Sequence, residues 1–361
     1  MNSLVIMSVP GSVLWPLVLV RIFLLFTGQP TETVSEENDA GEVYKVVFWN
    51  LENYFDPFDD PVTSDDEFTP TGEKRWSWKK FVKKRNDIAK VIISLAGENY
   101  PALIGFAEVE NRFVVDQLVR SSPLAMVDYG IIHRDSPDER GIDVALLYKR
   151  SLFRPLKSDF FCVSNRDSSL KTRLILYAKG VLEDLDTIHV FVNHWPSKLG
   201  GESVSGPKRE AAARTLRRVC DSIFAVNPRA NIIIMGDFND TPDSQLFRNI
   251  IINSSESRPL VNLASKLYRK GVGTIKYKTE WEFIDMFFVS LNLLDEDEPL
   301  FCPDGAMKIY KPPFLLEDDR IYLGKKPFRC LTGPRYNGGI SDHLPIVLSI
   351  NKMWQNPAKN K

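Results

Sequence analysis

The sequence predicts an α/β fold, with β-sheets stacked face to face and helices outside them. Three observations carry this. About ten short runs rich in Val, Ile and Phe read as strands. Three longer segments repeat their apolar residues at helical spacing. The chain has 361 residues, 43% apolar and 26% charged, which suffices for a large core without disulfide or zinc staples.

Residues 4–27 are almost wholly apolar, broken by Pro10, Pro16 and Arg21, and a polar, acidic stretch runs from Gln29 to Glu42. We read 1–42 as a secretory signal or membrane anchor followed by a linker. That predicts a secreted or membrane-anchored, extracytoplasmic protein. An apolar helix packed on the domain is the alternative. From Val43 to Ile350 the pattern is continuous, as expected of one domain, and 351–361 reads as a polar tail. The predicted strands are Tyr44–Trp49, Ala102–Ala107, Tyr129–His133, Val144–Tyr148, Phe160–Val163, Leu174–Val181, Ile188–Asn193, Ile232–Asp237, Ile284–Val289 and Ile346–Ile350. Predicted helices are Lys79–Leu95, Arg112–Arg120 and Lys208–Phe224. In the first, Phe81, Ile88, Val91, Ile92 and Leu95 share a face, with lysines opposite. The acidic insertion Asp56–Trp78 and the basic cluster Lys79, Lys80, Lys83, Lys84 and Arg85 read as a solvated loop beside a solvated helix face. A calcium or gating loop is the sharper alternative, but EF-hand ligand order is absent.

Composition excludes several classes. Lys and Arg number 46 against 47 Asp and Glu, so no basic coat for nucleic acid exists. The four cysteines form no C-x-x-C, which removes zinc ribbons and dithiol redox sites. If any bridge forms, Cys302 and Cys330, flanking a loop-rich segment, are the pair placed for it. P-loop and nucleophile-elbow motifs are absent.

Chemistry gathers where apolar runs end. Trp49-Asn50-Leu51-Glu52-Asn53, Glu108-Val109-Glu110-Asn111, Asn193-His194-Trp195-Pro196-Ser197 and Gly236-Asp237-Phe238-Asn239-Asp240 each follow one. Asp285 lies inside an apolar run, and Ser341-Asp342-His343 precedes another. Carboxylates do not belong in apolar strands unless paired or bound to a cation. An Asn/Asp/Glu set with few histidines is hard and oxygen-rich. It suits Mg²⁺ or Mn²⁺, with Ca²⁺ admissible, better than zinc. Ser341 is poorly placed to be a nucleophile activated by His343, because neighbouring side chains diverge. For Asn53 and Asp240, turn bonding is the simpler reading.

WNLEN, GFAEVEN, NHWPS, GDFND, FIDMFFVS and SDHLP occur in one order across nearly the whole folded chain. In this the chain resembles the endonuclease/exonuclease/phosphatase superfamily. The resemblance implies a four-layer α/β sandwich, two central mixed β-sheets flanked by helices, with the site at one rim. It further implies one or two Mg²⁺ or Mn²⁺ ions and hydrolysis of a phosphate ester by direct attack of water. Carried over by position, Glu108 is the principal metal carboxylate, with Asn50, Glu52 and Asp342 helping. Asp237 and Asn239 activate water and hold phosphate, Asp285 and His343 form a coupled pair, and His194 touches phosphate. Asp143 falls where many members keep a polar residue.

Physical logic agrees with these roles. A phosphodiester repels hydroxide, so a cation must neutralise the growing charge. Asp237 is suited to take the water's proton, and a buried Asp285 favours a cationic His343. Lys198, Lys208 and Arg209, together with Lys276 and Lys278, are candidates for a rim that contacts substrate phosphate, with an exposed loop as the alternative. The first expectation is a monomeric endonuclease or phosphodiesterase with a phosphate-ester substrate such as nucleic acid. The alternatives are a phosphatase or phospholipid phosphodiesterase, and an inactive binding module.

Overall fold

The computed structural model describes residues 43–353 apart from 98, 165–169, 199 and 253–259. The predicted signal or anchor segment with its linker, and most of the tail, lie outside them. In chain order the main elements are β1 (Val43–Tyr54), α1 (Trp78–Ala96), β2 (Leu103–Val109), α2 (Arg112–Arg120), β3 (Tyr129–His133), β4 (Asp143–Lys149), β5 (Phe153–Phe161), β6 (Ile175–Leu182), β7 (Asp186–His194), α3 (Glu202–Val226) and β8 (Asn231–Asp237). Strands Leu260–Asn262, Asp285–Ser290, Leu300–Phe301, Met307–Ile309 and Ile346–Lys352 complete two sheets.

The first sheet is ordered Leu300–Phe301, Ile346–Lys352, β1, β2, β4, β3, with Met307–Ile309 also on Ile346–Lys352. The second runs β5, β6, β7, β8, Asp285–Ser290, Leu260–Asn262. Each holds one parallel pair, β1 with β2 and β7 with β8, among antiparallel neighbours. A parallel pair needs a crossover, and α1 and α3 supply them. Strand alternation then sorts the side chains. Val47 and Trp49 of β1 join Phe81, Ile88 and Ile92 of α1 in one cluster, whereas Val46 and Phe48 join Val190, Val192 and Met235 of the second sheet in the other. Ala212, Leu216 and Cys220 of α3 belong to that second cluster. The layers are therefore helices, sheet, sheet, helix. At Gly105 a Cβ would meet Met235 Sδ at 2.9 Å and Val192 at 3.2 Å, so glycine lets the sheets approach there.

Several local expectations need correction. β5 starts at Phe153, well before Phe160, because its polar outer residues hide the strand period. α3 starts at Glu202, ahead of Lys208, and runs through Pro207 in its second turn, at the cost of one i→i−4 hydrogen bond. The last strand reaches Lys352, so the tail begins later than residue 351. The insertion after Phe55 is not simply solvated, since Asp56, Asp65, Phe68 and Trp76 are buried. Nor is the basic helix face, because Lys84 is buried and donates to the Glu52 carbonyl while Arg85 donates to Gln117. Cys302 and Cys330 are free and sit in different hydrophobic clusters. No helix among the described residues is long and apolar enough to cross a membrane.

Candidate active site

The carboxyl ends of both parallel pairs meet at one rim, the place where open α/β sheets present polar groups. β1 brings Asn50 and Glu52, β2 brings Glu108, β7 brings His194 and β8 brings Asp237. Asp285 lies opposite Asp237 in antiparallel register. Ser341, Asp342 and His343 enter just before the final strand. Backbone geometry is unusual at these points. Glu52, Asn53, Glu108 and Asn239 all have positive φ, and register shifts interrupt β1–β2 after Asn50 and β2–β4 after Ala107. Such bulged, left-handed positions re-aim side chains and carry local strain.

Two contacts join the sheets across the site. Asn50 Nδ2 donates to Asp237 Oδ2 at 3.0 Å, and His343 Nδ1 lies 2.8 Å from Asp285 Oδ2. His343 is held from behind: Ser341 Oγ accepts from its amide, and its carbonyl accepts from Trp49 Nε1 at 2.9 Å. Its backbone also bridges Ile275, in a hairpin that sequence reading missed. Ser341 Oγ donates to the Asn50 carbonyl, so Ser341 ties the loop to β1. The second oxygen of Asp285 is buried without a hydrogen-bond partner among the described residues.

His194 Nε2 stands 3.8 Å from Asp237 Oδ2 and 3.9 Å from Glu108 Oε1. Glu108 Oε2 accepts from the Asn53 amide at 2.8 Å. Asp237 Oδ1 accepts from the Asn239 amide, and Asn239 Nδ2 donates to the Trp195 carbonyl. Thus Glu108, Asn50, Asp237, Asn239, His194, Asp285, His343 and Asp342 converge.

Glu52 lies at the same rim but faces elsewhere than a free metal ligand would. Its carboxylate accepts from the amides of Cys330 and Leu331 and from Arg329 Nε at 3.3 Å. Arg329 Nη2 also donates to Asp342 Oδ2 at 2.9 Å, bridging two predicted metal carboxylates. Arg329 has no local sequence signature, since the loop carrying it is irregular. Arg209 needs correction too. It is buried against Glu202, Ser205 Oγ and the Pro196 carbonyl, so it braces a loop and is not on a phosphate rim. Lys276 is likewise buried on Asp319. Lys198 is half-exposed beside Asp240, which also bonds Thr241 and Ser244 as a turn residue. Lys208 lines a cavity of about 470 Å³ together with Arg140, Lys171, Arg173 and Ser197.

Electrostatics divide the two histidines. Burial alone would lower the His343 imidazole, but Asp285, then Asp237 and Asp342, raise it well above its ordinary value. Burial, then Arg173, Arg140 and His343, push His194 well below its ordinary value, so it is neutral. Burial and the neighbouring Asp285 push Asp237 up to about 7, and burial and Asp342 push Glu52 up to about 7. Five carboxylates (Glu52, Glu108, Asp237, Asp285 and Asp342) thus share one rim, with charge enough that two resist ionising. A hard divalent cation fits that surplus. Asp237, Asp285 and His343 offer ligand atoms all within 4.8 Å of one another. A cationic His343 offers no lone pair, however, so the oxygen set of Glu108, Asp342 and Asn50 suits an ion better.

Comparison with known proteins agrees with this architecture. A family model described as "Endonuclease/Exonuclease/phosphatase family" matches residues 45–352. No curated protein matches by sequence. The fold is similar to an endonuclease/exonuclease/phosphatase family protein from Bacteroides thetaiotaomicron, at 15% identity and TM-score 0.56, covering 86% of this chain and 98% of that one. It is also similar to the human Nocturnin catalytic domain with bound sulfate anion, at 16% identity and TM-score 0.53, covering 86% and 94%. D. rerio TDP2 complexed with single strand DNA product gives 14% identity and TM-score 0.53, covering 86% and 99%. With its two mixed sheets, its flanking helices and a family match over nearly all of the described residues, the chain belongs to the endonuclease/exonuclease/phosphatase family.

Proposed function

We propose that the chain is a divalent-metal-dependent phosphodiesterase acting on nucleic acid, by direct attack of water on phosphorus. The observation that carries this is the inter-sheet constellation of Asp237, Asn50, Asp285 and His343, beside the Glu108 and Asp342 carboxylates. Glu108, Asp342 and Asn50 would hold Mg²⁺ or Mn²⁺, which when bound neutralises charge on the phosphate. Asp237, with its pKa near 7, is the group to take a proton from water. Asn50 and the Asn239 amide each bond one of its oxygens and so fix its orientation. His343, kept cationic by Asp285, supplies positive charge to a phosphoryl oxygen as the bond to the leaving group breaks. Neutral His194, its Nε2 3.8 Å from Asp237 Oδ2, offers that nitrogen for a hydrogen bond to phosphate. In the adjoining cavity Lys171 and Arg173 are paired with Glu139 and Asp138, so Lys208 and Arg140 are the cations placed to meet a substrate continuing beyond the scissile bond. The bound sulfate of Nocturnin and the DNA product of D. rerio TDP2 support this reading by analogy. The apolar N-terminus supports an extracytoplasmic site of action.

The test is a hydrolysis panel of single-stranded and duplex DNA, RNA, sphingomyelin and inositol phosphates, with Mg²⁺, with Mn²⁺ and after EDTA. Nucleic-acid cleavage that needs the metal, with ¹⁸O from labelled water on the phosphate product, is expected. Preference for lipid or inositol esters would redirect the substrate. Undiminished turnover after exhaustive EDTA treatment would overturn the mechanism.

A further inference from the structure

His133 ends β3 and Asp143 opens β4, on either side of the turn at 134–142. The His133 side chain is only 1% exposed, yet its Nε2 is buried with no hydrogen-bond partner among the described residues. Nε2 stands 3.4 Å from Asp143 Oδ2, without hydrogen-bond alignment. Asp135 Oδ1 lies 3.9 Å from the ring's Nδ1, on a side chain 79% exposed. The three residues offer ligand atoms all within 4.8 Å of one another.

An unpaired buried imidazole nitrogen is costly, and nothing in the mechanism above uses it. Asp143 is already fixed, because its Oδ1 accepts from the Ser136 amide at 2.9 Å. The adjoining cavity, about 300 Å³, is lined by Asp60, Glu110, Asp135, Glu139 and Asp143, with Lys171 the cation among them. That Lys171 is itself paired with Glu139. The region is therefore short of positive charge, and it contains one nitrogen donor and carboxylate oxygens.

We propose that His133, Asp135 and Asp143 form a second metal site, taking a borderline divalent ion such as Zn²⁺ and not Mg²⁺ or Ca²⁺. Nitrogen ligation decides the class, since the hard ions prefer all-oxygen cages. His133 Nε2 and Asp143 are the fixed ligands, and exposed Asp135 swings in as the third. Water fills what remains, within the ordinary range of zinc coordination. The role is positional. The ion joins the end of β3 to the start of β4 and thereby secures the turn between them. From that turn Arg140 reaches Asn53 Oδ1 at 2.9 Å, and Asp138 pairs with Arg173 at 2.9 Å. Gly141 helps to set the turn, as its φ of +66° and its contact with Thr63 leave no room for a side chain.

The proposal does not rest on the catalytic reading, and its test separates the two. Full-length protein stripped with EDTA is titrated with Zn²⁺ by equilibrium dialysis and with Co²⁺ by visible absorption. Wild type should bind one equivalent that survives Glu108→Gln. His133→Gln should lose that equivalent together with its Co²⁺ absorption, and Zn²⁺-soaked crystals should show anomalous density at His133 Nε2. Asp135→Asn, at an exposed side chain that cannot threaten the fold, should weaken Zn²⁺ at least tenfold with no change in apo melting temperature. Equal stoichiometry and affinity in wild type, His133→Gln and Asp135→Asn would overturn it.

Discussion

His343 and His194 stand beside the same Asp237 and are driven to opposite charge states, because Asp285 overrides the effect of burial at one, while at the other burial acts first and Arg173 and Arg140 add to it. Nitrogen-15 spectra should therefore show His343 protonated at pH 8 and His194 neutral at pH 5, with Asp285→Asn returning His343 toward an ordinary imidazole. His343→Ala should lower kcat by on the order of 10²-fold or more, the usual scale for an acid–base group. Asp285→Asn should lose a similar amount, and the double variant little more, since residues acting as a unit are non-additive. Losses that multiply would reject the pair. Asp285 was legible in sequence as an aspartate inside the apolar FIDMFFV run, whereas its pairing with His343 came from the family resemblance. Arg329 was not legible, because a cation arriving from an irregular loop leaves no periodic or spacing signal. Its guanidinium occupies Glu52 and Asp342 in the way an ion would, so it competes for them. Arg329→Ala should tighten Mg²⁺ binding by roughly 3- to 10-fold in calorimetry, the effect of about 1 kcal/mol of lost repulsion at a half-exposed site. Weaker binding in that variant would mean that Arg329 positions the carboxylates and does not compete for them.

The elements that carry the site do so at their irregular ends. Strand periodicity located β1, β2, β7 and β8, but the positive φ at Glu52 and Glu108 follows no alternation rule, and so the turn of Glu52 toward Arg329, Cys330 and Leu331 was missed. Polar sequence misled elsewhere. The insertion after Phe55 looked solvated because its acids outnumber its aromatics, whereas Phe68 and Trp76 pull it onto the body and carry the acids inward. Between β2 and α2, Glu110 shows the cost. Burial, then Asp56, pushes it up to about 9. Its folded form keeps a proton that the unfolded form loses, so Glu110 weakens the fold as pH rises from about 5 toward 9. Glu110→Gln retains an oxygen for the Asp56 amide and removes the titration. It should raise the melting temperature at pH 8 by roughly 2–4 °C and change little at pH 5. A gain of the same size at both values would show that the charge is irrelevant.

For the molecule as a whole, pH acts from two sides. Glu52, Asp237 and Glu110 bind protons in the fold that the unfolded chain releases above the ordinary carboxylate range, and raised His343 does so above the imidazole range. Each of these makes stability fall as pH rises. His194, and His189, which burial lowers to about 4, act in reverse: they refuse protons that the unfolded chain accepts, so stability falls as pH drops below about 6.5. The metal-free protein should be most stable near pH 6 and lose melting temperature steadily toward pH 9. Saturating Mg²⁺ should recover part of the loss at pH 8 by stabilising ionised carboxylates. A melting temperature unmoved by Mg²⁺ at pH 8 would count against a cation at this rim. The layered architecture was legible because each parallel pair announces its crossover helix, while the short hairpins near the C-terminus were not, being fixed by contact with the site and not by their own residues. The division of the site between the two sheets also has a consequence for how the protein can fail. Asn50, Glu108 and His343 belong to one sheet, Asp237, Asp285 and His194 to the other, and the strand 346–352 returns to lie beside β1. A proteolytic nick between β4 and β5 leaves neither fragment with a complete set, nor the first with all of its own strands. Turnover is therefore a readout of an intact sandwich: a half-folded chain is silent, and a nicked one works only while its pieces stay together.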